Sequence, residues 1–380
     1  MSVMVAACVS IALALLTLGR VRRLSMASRQ TAGRGPLDVS VVIPARNEAL
    51  SLPTLLQSLH LASPQACEVI VVDDDSTDDT AAIALGAGVT LVKPGALRTG
   101  WAGKPSACAT GAAQARSDVL IFLDADTALH PSAVGALTEL ARRHGGLCSV
   151  QPCHRTEAAY EQLSLMFNIV ALMGSGQFGV VRPQRSVRSA TAFGPCLATM
   201  RSSYESVGGH SAAPTSVVDD IALAKVYAQH DMPTDGWLGS NVVSYRMYPG
   251  GVRSLIEGWT KNIALGATSA SLVSVGFAVA WVTAMLWGSF DFVIAVAHWP
   301  TGGTVPWLSL AGFALTAVQV TVLARLVGRF RWWVGLAAPL LLLFFLVIFL
   351  RSGVLVMLGR PVRWRGRTVA TRQVSRRNRH

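Results

Sequence analysis

The chain has 380 residues, of which 51% are hydrophobic and 14% are charged, and its net charge is +12. That balance excludes a wholly water-soluble protein of average composition. The basic residues show no aromatic interleaving and no nucleic-acid motif, so no nucleic-acid partner is expected.

The apolar excess is concentrated in four charge-free runs: Ser2 to Gly19, Ile263 to Phe290, Val305 to Leu323 and Trp332 to Leu350. Each approaches the ~20 residues that cross a bilayer. The first run lacks a basic n-region and a cleavage site, and Arg20, Arg22 and Arg23 follow it. It therefore reads as an anchor with its N-terminus outside. Gly33 to Leu37 is a linker, and Asp38 to Arg253 reads as an ordinary α/β domain.

Within that domain, Val39 to Pro44 forms a strand that ends in the loop Ala45-Arg46-Asn47-Glu48. Ser51 is the expected N-cap of the next helix, with Pro53 in its first turn. Glu68 to Val72 is a second strand, running into Asp73-Asp74-Asp75-Ser76-Thr77-Asp78-Asp79-Thr80. Asp and Ser/Thr cap helices well. Five acids in eight positions exceed what capping needs and also suit hydrogen bonding to a nucleoside.

Val89 to Val92 is a third strand. Gly103-Lys104 is not a phosphate loop, because Arg98 and Pro105 occupy the positions such a loop needs for Gly and Ser/Thr. Lys104 still suits a diphosphate as a point charge. A helix is expected over Ala107 to Ala115. Val119 to Leu123 is apolar throughout, the mark of a buried strand, and Asp124-Ala125-Asp126 follows directly. Ligands gather at the carboxyl ends of such strands. Two acids there call for a cation, and oxygen ligation suits Mg²⁺ or Mn²⁺. An acidic turn without a metal is the simpler alternative. The alternation up to Asp126 implies a parallel, doubly wound sheet.

Farther on, Gly208-Gly209-His210 reads as a tight turn. Val218-Asp219-Asp220 opens a helix, and the helix dipole favours its two acids in ionised form. They act there either as caps or as a general base. Leu255, Ile256 and Trp259 share one face of a basic helix that precedes the second apolar run, as in an interfacial helix. Six cysteines without Cys-x-x-Cys spacing read as buried, reduced thiols. Cys148, Cys153 and His154 lack a fourth zinc ligand.

These motifs, in this order, resemble the family 2 glycosyltransferases of the GT-A fold: Val41 to Glu48, Val71 to Thr80, Phe122 to Asp126 and Val218-Asp219-Asp220. Gly100 to Lys104, Arg246-Met247-Tyr248-Pro249 and Glu257 to Asn262 are similar to a membrane-bound branch. That branch includes bacterial carotenoid-acid (diaponeurosporenoate) and hopanoid-associated glycosyltransferases. The resemblance implies a Rossmann-like, mostly parallel sheet with helices on both faces, one N-terminal and about three C-terminal transmembrane helices. The bounds it suggests are an anchor over 1–24, a catalytic domain over 37–250, an interfacial helix over 251–263, a membrane region over 264–358 and a basic tail over 359–380.

The resemblance also implies roles. Pro44, Asn47, Glu48, Asp73, Asp74 and Asp124 would bind the nucleotide sugar, and Asp126, with Asp124, the Mg²⁺ or Mn²⁺ on its diphosphate. Asp220 would be the general base and Lys104 the charge that assists the leaving group. Asp219, His210, Trp259 and Lys261 would lie on the acceptor side. The Gln-x-x-Arg-Trp signature of processive relatives is absent near Trp259, which favours transfer of one sugar, from UDP-glucose or a similar donor, to a lipid or isoprenoid. A processive polysaccharide synthase and a non-catalytic membrane scaffold are the rival readings.

The expected place is the cell membrane, as a multi-pass protein with its catalytic domain in the cytoplasm and its arginine-rich flanks on anionic lipids. Three full spans after the domain would put the basic tail outside, against the charge rule. Either Trp332 to Leu358 is a re-entrant hairpin, helped by Pro339 and Arg351, or the tail is outside.

Overall fold

The structure is a computed structural model that describes residues 3–26, 37–62, 65–97, 99–180, 186–216, 218–266, 272–298, 307–360, 362–364 and 367–369. The expected linker over 33–36, Arg98, Val217 and most of the basic tail lie outside the described residues.

The first half alternates as the sequence pattern requires. After α1 (Val3–Leu18) come β1 (Leu37–Ala45), α2 (Leu52–His60), β2 (Ala66–Asp73), α3 (Thr80–Gly86), β3 (Thr90–Val92), α4 (Gly103–Gln114) and β4 (Val119–Leu123). Strands β3, β2, β1 and β4 lie side by side and parallel. All five residues of β4 are buried, which explains its unbroken apolar run.

The order then departs from simple alternation. The short β5 (Thr127–Leu129), α5 (Ala133–His144), β6 (Leu147–Gln151), β7 (Cys153–Arg155), α6 (Leu165–Ser175), β8 (Cys196–Met200), α7 (Arg201–Ser206), α8 (Asp219–Gln229), β9 (Thr234–Leu238) and β10 (Val243–Tyr245) follow. Strand β8 inserts between β4 and β6 and runs antiparallel to both, and β9 closes the seven-stranded sheet parallel to β6. The sheet is therefore mostly parallel with one reversed strand.

A second, four-stranded sheet was not foreseen. It joins β5, β10 and β7 to β11 (Gly328–Arg329). Because β5 starts directly after Asp126, this sheet fixes the far side of the acidic turn. The backbone N–H of Arg246 donates to the Asp126 carbonyl at 3.2 Å.

The C-terminal third comprises α9 (Val252–Gly266), α10 (Leu272–His298), α11 (Trp307–Val327), β11, α12 (Ala338–Met357) and the hairpin strands β12 (Val362–Trp364) and β13 (Arg367–Val369). Helices α10, α11 and α12 are long and apolar enough to cross a membrane. The N-terminal apolar helix α1, with 16 residues, is shorter. Of the second apolar run, 263–266 belong to α9 and 272–290 to α10; 267–271 lie outside the described residues. Pro339 sits in the first turn of α12 and starts that helix instead of breaking it.

Two of the expected buried thiols, Cys8 and Cys67, are exposed. The other four are buried, and all six are free. The cysteines at 148 and 153 lie on different sheets and form no metal cluster with His154. Ser51 stands at the N-cap of α2 but makes no side-chain cap. The Glu48 carbonyl takes up the Ser51 and Leu52 N–H groups instead, each at 2.9 Å.

Candidate active site

The carboxyl ends of β1, β2 and β4 open on one edge of the sheet, and the loops that follow them build the cleft. The loops after β1 and β2 are sewn together. Asn47 adopts a left-handed backbone (φ 53°), its N–H donates to the Ser76 hydroxyl at 2.9 Å, and its side-chain carbonyl accepts from Thr77 N–H at 2.8 Å. The Glu48 N–H donates to the Thr80 hydroxyl at 2.8 Å. Pro44 is the partner of Val72 in the β1–β2 register, one residue before the loops part.

The acidic run combines both roles its composition allowed. Buried Asp73 accepts Ser76 N–H at 3.1 Å and shapes the loop from beneath. Asp78 accepts the Ala49 and Thr80 N–H groups, each at 3.1 Å, and so does the capping. Asp74 is held at the rim, where its carboxylate lies 4.0 Å from the Arg46 guanidinium and its N–H donates to the Ala45 carbonyl.

Helix α4 begins at Gly103, four residues earlier than expected, which places Lys104 in its first turn. The Lys104 ammonium lies 2.7 Å from Asp124 Oδ1 and 3.8 Å from Asp219 Oδ2. Burial works against the charged lysine. Asp124 and Asp219 outweigh it and hold Lys104 well above its usual range. One ammonium thus joins the end of β4 to the start of α8, elements about a hundred residues apart in sequence.

Asp126 and Asp220 are the charge-poor members of the group. Burial, with the Asp124 carboxylate nearby, pushes Asp126 up to about 7. Burial, with Asp219 adjacent, pushes Asp220 up to about 7 as well. Asp126 Oδ1 is buried and has no hydrogen-bond partner among the described residues. On α9, Lys261 lies within electrostatic reach of Asp124, Asp219 and Asp220, and burial together with Lys104 pulls it below its usual range. Four carboxylates thus face two ammonium groups, an imbalance that one divalent cation neutralises. An orphaned buried carboxylate oxygen, oxygen-only donors and this charge deficit fit Mg²⁺ or Mn²⁺ at Asp124 and Asp126.

His210 lies beside the acids but not on an open face. It is 2% exposed, and its Nε2 is 3.8 Å from Asp219 Oδ2. The Tyr204 hydroxyl accepts the His210 backbone N–H at 3.1 Å and lies 2.9 Å from Nδ1. Donor and acceptor roles in that contact follow the imidazole tautomer; a phenol proton given to Nδ1 leaves the ring proton on Nε2, on the side of Asp219. Burial, then Lys104, lowers His210 to about 3, so the ring is neutral. Cys108 completes a buried trio in which the candidate ligand atoms of Cys108, His210 and Asp219 lie within 4.8 Å of one another. The neighbouring Lys104 ammonium, 3.8 Å from Asp219, disfavours a metal there.

Trp259, expected on the acceptor side of an interfacial helix, is 6% exposed. Its ring stacks on Phe167 at 4.6 Å and its indole N–H donates to the Ser164 hydroxyl at 2.9 Å. Leu255 is fully buried on the same face, so this face of α9 packs against the domain. The next turn then aims Lys261 at the acids.

Two contributors carried no sequence signal. Gly194 sits against Asp220: a Cβ there would lie 2.9 Å from Asp220 Oδ2. Fully buried Glu161 pairs with Arg246 at 2.9 Å and braces the segment that holds the Asp126 carbonyl.

Together the mostly parallel sheet, the acids at its carboxyl edge and the cleft above them define a glycosyltransferase domain of the GT-A type. The profile described as "Glycosyl transferase family 2" matches residues 40–206, and the chain belongs to that family. It is 33% identical over 358 residues to the 4,4'-diaponeurosporenoate glycosyltransferase of Staphylococcus haemolyticus, covering 88% of this chain and 89% of the relative. The enzyme of the same name from Staphylococcus aureus strain MRSA252 is 33% identical over 344 residues, covering 87% of each. Among solved structures, a mannosyltransferase from Pyrobaculum calidifontis in complex with GDP-Man and Mn²⁺ is 17% identical, covers 91% of this chain and 99% of its own, and superposes with a TM-score of 0.47. The glucosyl-3-phosphoglycerate synthase of Mycobacterium tuberculosis, in complex with Mn²⁺, UDP and phosphoglyceric acid, is 21% identical with a TM-score of 0.44 and covers 66% and 85%.

Proposed function

We propose that this family 2 glycosyltransferase moves a single sugar from a nucleotide sugar, UDP-glucose or a similar donor, to a hydroxyl or carboxyl of a membrane lipid or isoprenoid, with inversion. The observation that carries the reading is the meeting of Lys104, Asp124, Asp126, Asp219 and Asp220 at one edge of the sheet, with a buried Asp126 oxygen that has no hydrogen-bond partner among the described residues. The loops at Pro44, Asn47, Glu48, Asp73 and Asp74 form the nucleoside side. The curated relatives are named for a carotenoid acid, which supports an isoprenoid acceptor.

A divalent metal at Asp124 and Asp126 would neutralise charge on the diphosphate leaving group. Lys104 supplies the protein's own positive charge at the same place. Once the diphosphate occupies the cleft, its charge competes with Asp124 for the Lys104 ammonium. Asp220, at the start of α8, takes the proton of the acceptor. A carboxyl raised to about 7 is matched to that task, since general bases work best near the operating pH. Asp219, bridged by Lys104 and faced by His210 Nε2, keeps the pair of acids oriented. Inversion needs one displacement and no covalent enzyme intermediate.

A nucleotide-sugar donor favours a catalytic domain in the cytoplasm, and the three long apolar helices favour the cell membrane. The test is donor turnover by purified protein. UDP release should require both a divalent metal and a lipid acceptor. Full turnover by both Asp126→Ala and Asp220→Asn would overturn the assignment of roles.

A further inference from the structure

The three long apolar helices do not all make the same traverse. Helix α1 approaches the domain at its C-terminal end, where Arg20 N–H donates to the Phe178 carbonyl at 2.9 Å and the Leu16 carbonyl accepts Val180 N–H at 2.8 Å. Its other end marks the far side. Val3 and Met4 pack on Gly312 at the start of α11, and Ala6 packs on Gly288 in the second half of α10. Helix α10 therefore leads away from the domain and α11 returns. Ser10 meets Gln319 midway, at 2.9 Å. Strand β11, directly after α11, joins the catalytic domain beside β7, with Gly328 opposite His154.

From there the chain turns back toward the bilayer. The Arg331 N–H still donates to Gln162 of the domain, at 2.9 Å. Gly335 then lies against α11, where a Cβ would collide with the Ala317 carbonyl and the Thr321 hydroxyl. Those residues lie 7 and 11 positions before Gly328, about 10 to 16 Å along a helix of 1.5 Å rise. Helix α12 thus starts below the surface of the domain.

It then climbs. Phe345 meets Phe167 edge-on at 5.0 Å, and the Ser352 hydroxyl donates to the Thr260 carbonyl at 3.0 Å. Thr260 precedes Lys261, which faces the active-site acids, so Ser352 has returned to the level of the cleft. Strand β12 continues against α9.

We propose that residues 330–358 form a re-entrant element whose short leg and α12 both open on the catalytic side, with α12 lodged in the hydrocarbon of that leaflet. Its outward stripe is Leu340, Leu343, Val347, Leu350 and Val354, all exposed. Those residues recur every three or four positions and meet acyl chains, while Leu341, Leu342, Phe345, Ile348 and Ser352 face protein. The short leg, a 3₁₀ turn over Trp332–Gly335, is tolerated because it packs against α11.

Charge supports this path independently. None of the 33 Lys and Arg residues falls within 1–19 or 262–324. With α12 re-entrant, every one of them lies on the catalytic side, as the positive-inside rule favours. A crossing α12 would strand the eight arginines of 360–379 on the other side.

The test uses the full-length protein with a C-terminal epitope in sealed vesicles of each orientation. Protease should remove the epitope in the same vesicles in which it cuts the catalytic domain. Removal only in the opposite orientation overturns the proposal. A second measurement reads depth directly. Nitroxides at positions 340, 347 and 354, in nanodiscs and with Cys8 and Cys67 replaced by serine, should show oxygen accessibility falling steadily from 340 to 354. A maximum at 347 is the profile of a crossing helix and overturns it.

Discussion

Lys104 and Asp124 come from different elements, α4 and the end of β4, and their charged atoms are 2.7 Å apart. This contact sets the resting charge of the cleft. It neutralises one of the two acids that end β4 and leaves Asp126 without a cationic partner at bonding distance among the described salt bridges.

Replacing Lys104 tests that balance. Lys104→Met should weaken donor binding by at least tenfold and destabilise the protein by about 1–2 kcal/mol, the lower part of the range for charged hydrogen bonds because both partners remain about a third exposed. The double variant Lys104→Met, Asp124→Asn should regain stability without regaining activity. Melting curves and donor titrations check both. Recovery of turnover in the double variant would contradict a role for Lys104 at the diphosphate.

Asp126 and Asp220 make metal-free stability depend on pH. Both acids sit near 7 in the folded protein, against an ordinary carboxyl value of 3.8. Between those values the folded state holds protons that the unfolded state has lost. These two acids release protons on unfolding, so their contribution falls as pH rises from about 4 to 7 and levels off above. His154 and His210, which burial pulls down to about 3, take up protons on unfolding and act in the opposite direction below about pH 6.5. The carboxyl part is therefore read as a difference: after metal is stripped, the melting temperature of wild type minus that of Asp126→Asn should fall between pH 5.5 and pH 8. Added Mn²⁺ should raise the wild-type value most at the higher pH. A difference that climbs through this window would contradict the placement of these acids.

Asp220→Asn keeps the shape of the side chain and removes its basicity. The turnover number should fall by about 10²–10⁴, the usual worth of a general base, with donor affinity little changed. The wild-type rate should rise with pH through a midpoint near 7. The variant should lose that limb, which a pH–rate series measures.

Gly194→Ala separates position from chemistry. The added Cβ would press on the Asp220 carboxylate at 2.9 Å, a flexible group that can yield. The fold should survive with a melting temperature within a few degrees of wild type. Turnover should drop by about 10²-fold, as misplacement by an ångström does, with donor affinity unchanged. Unaltered turnover would show that Asp220 need not stay where it stands.

Much of the active site was legible because each acid follows a pattern with one local cause. Five apolar residues announce β4, and the two acids after it must lie at its carboxyl edge. The acid pair at 219–220 opens a helix and was readable as such, as were the loops after β1 and β2. These depend on neighbours in sequence, through strand periodicity and helix capping.

What depends on distant neighbours was not legible. Trp259 had the composition of an interfacial anchor, yet Phe167 and Ser164, about ninety residues earlier, bury it. The tight packing of Gly194 on Asp220 and the second sheet through β5, β7, β10 and β11 arise from contacts between segments that share no periodicity. Hydropathy found the length of α12 but not its path, because an apolar run is the same whether it crosses a bilayer or turns back within it. The arginines of the tail favour a return, and the contacts of Gly335 with α11 and of Ser352 with α9 supply its path. Sequence by itself determined which residues are acidic, apolar or turn-forming. Tertiary structure alone decided which carboxylates share the Lys104 ammonium and what the last helix packs against, since electrostatics and packing act through space.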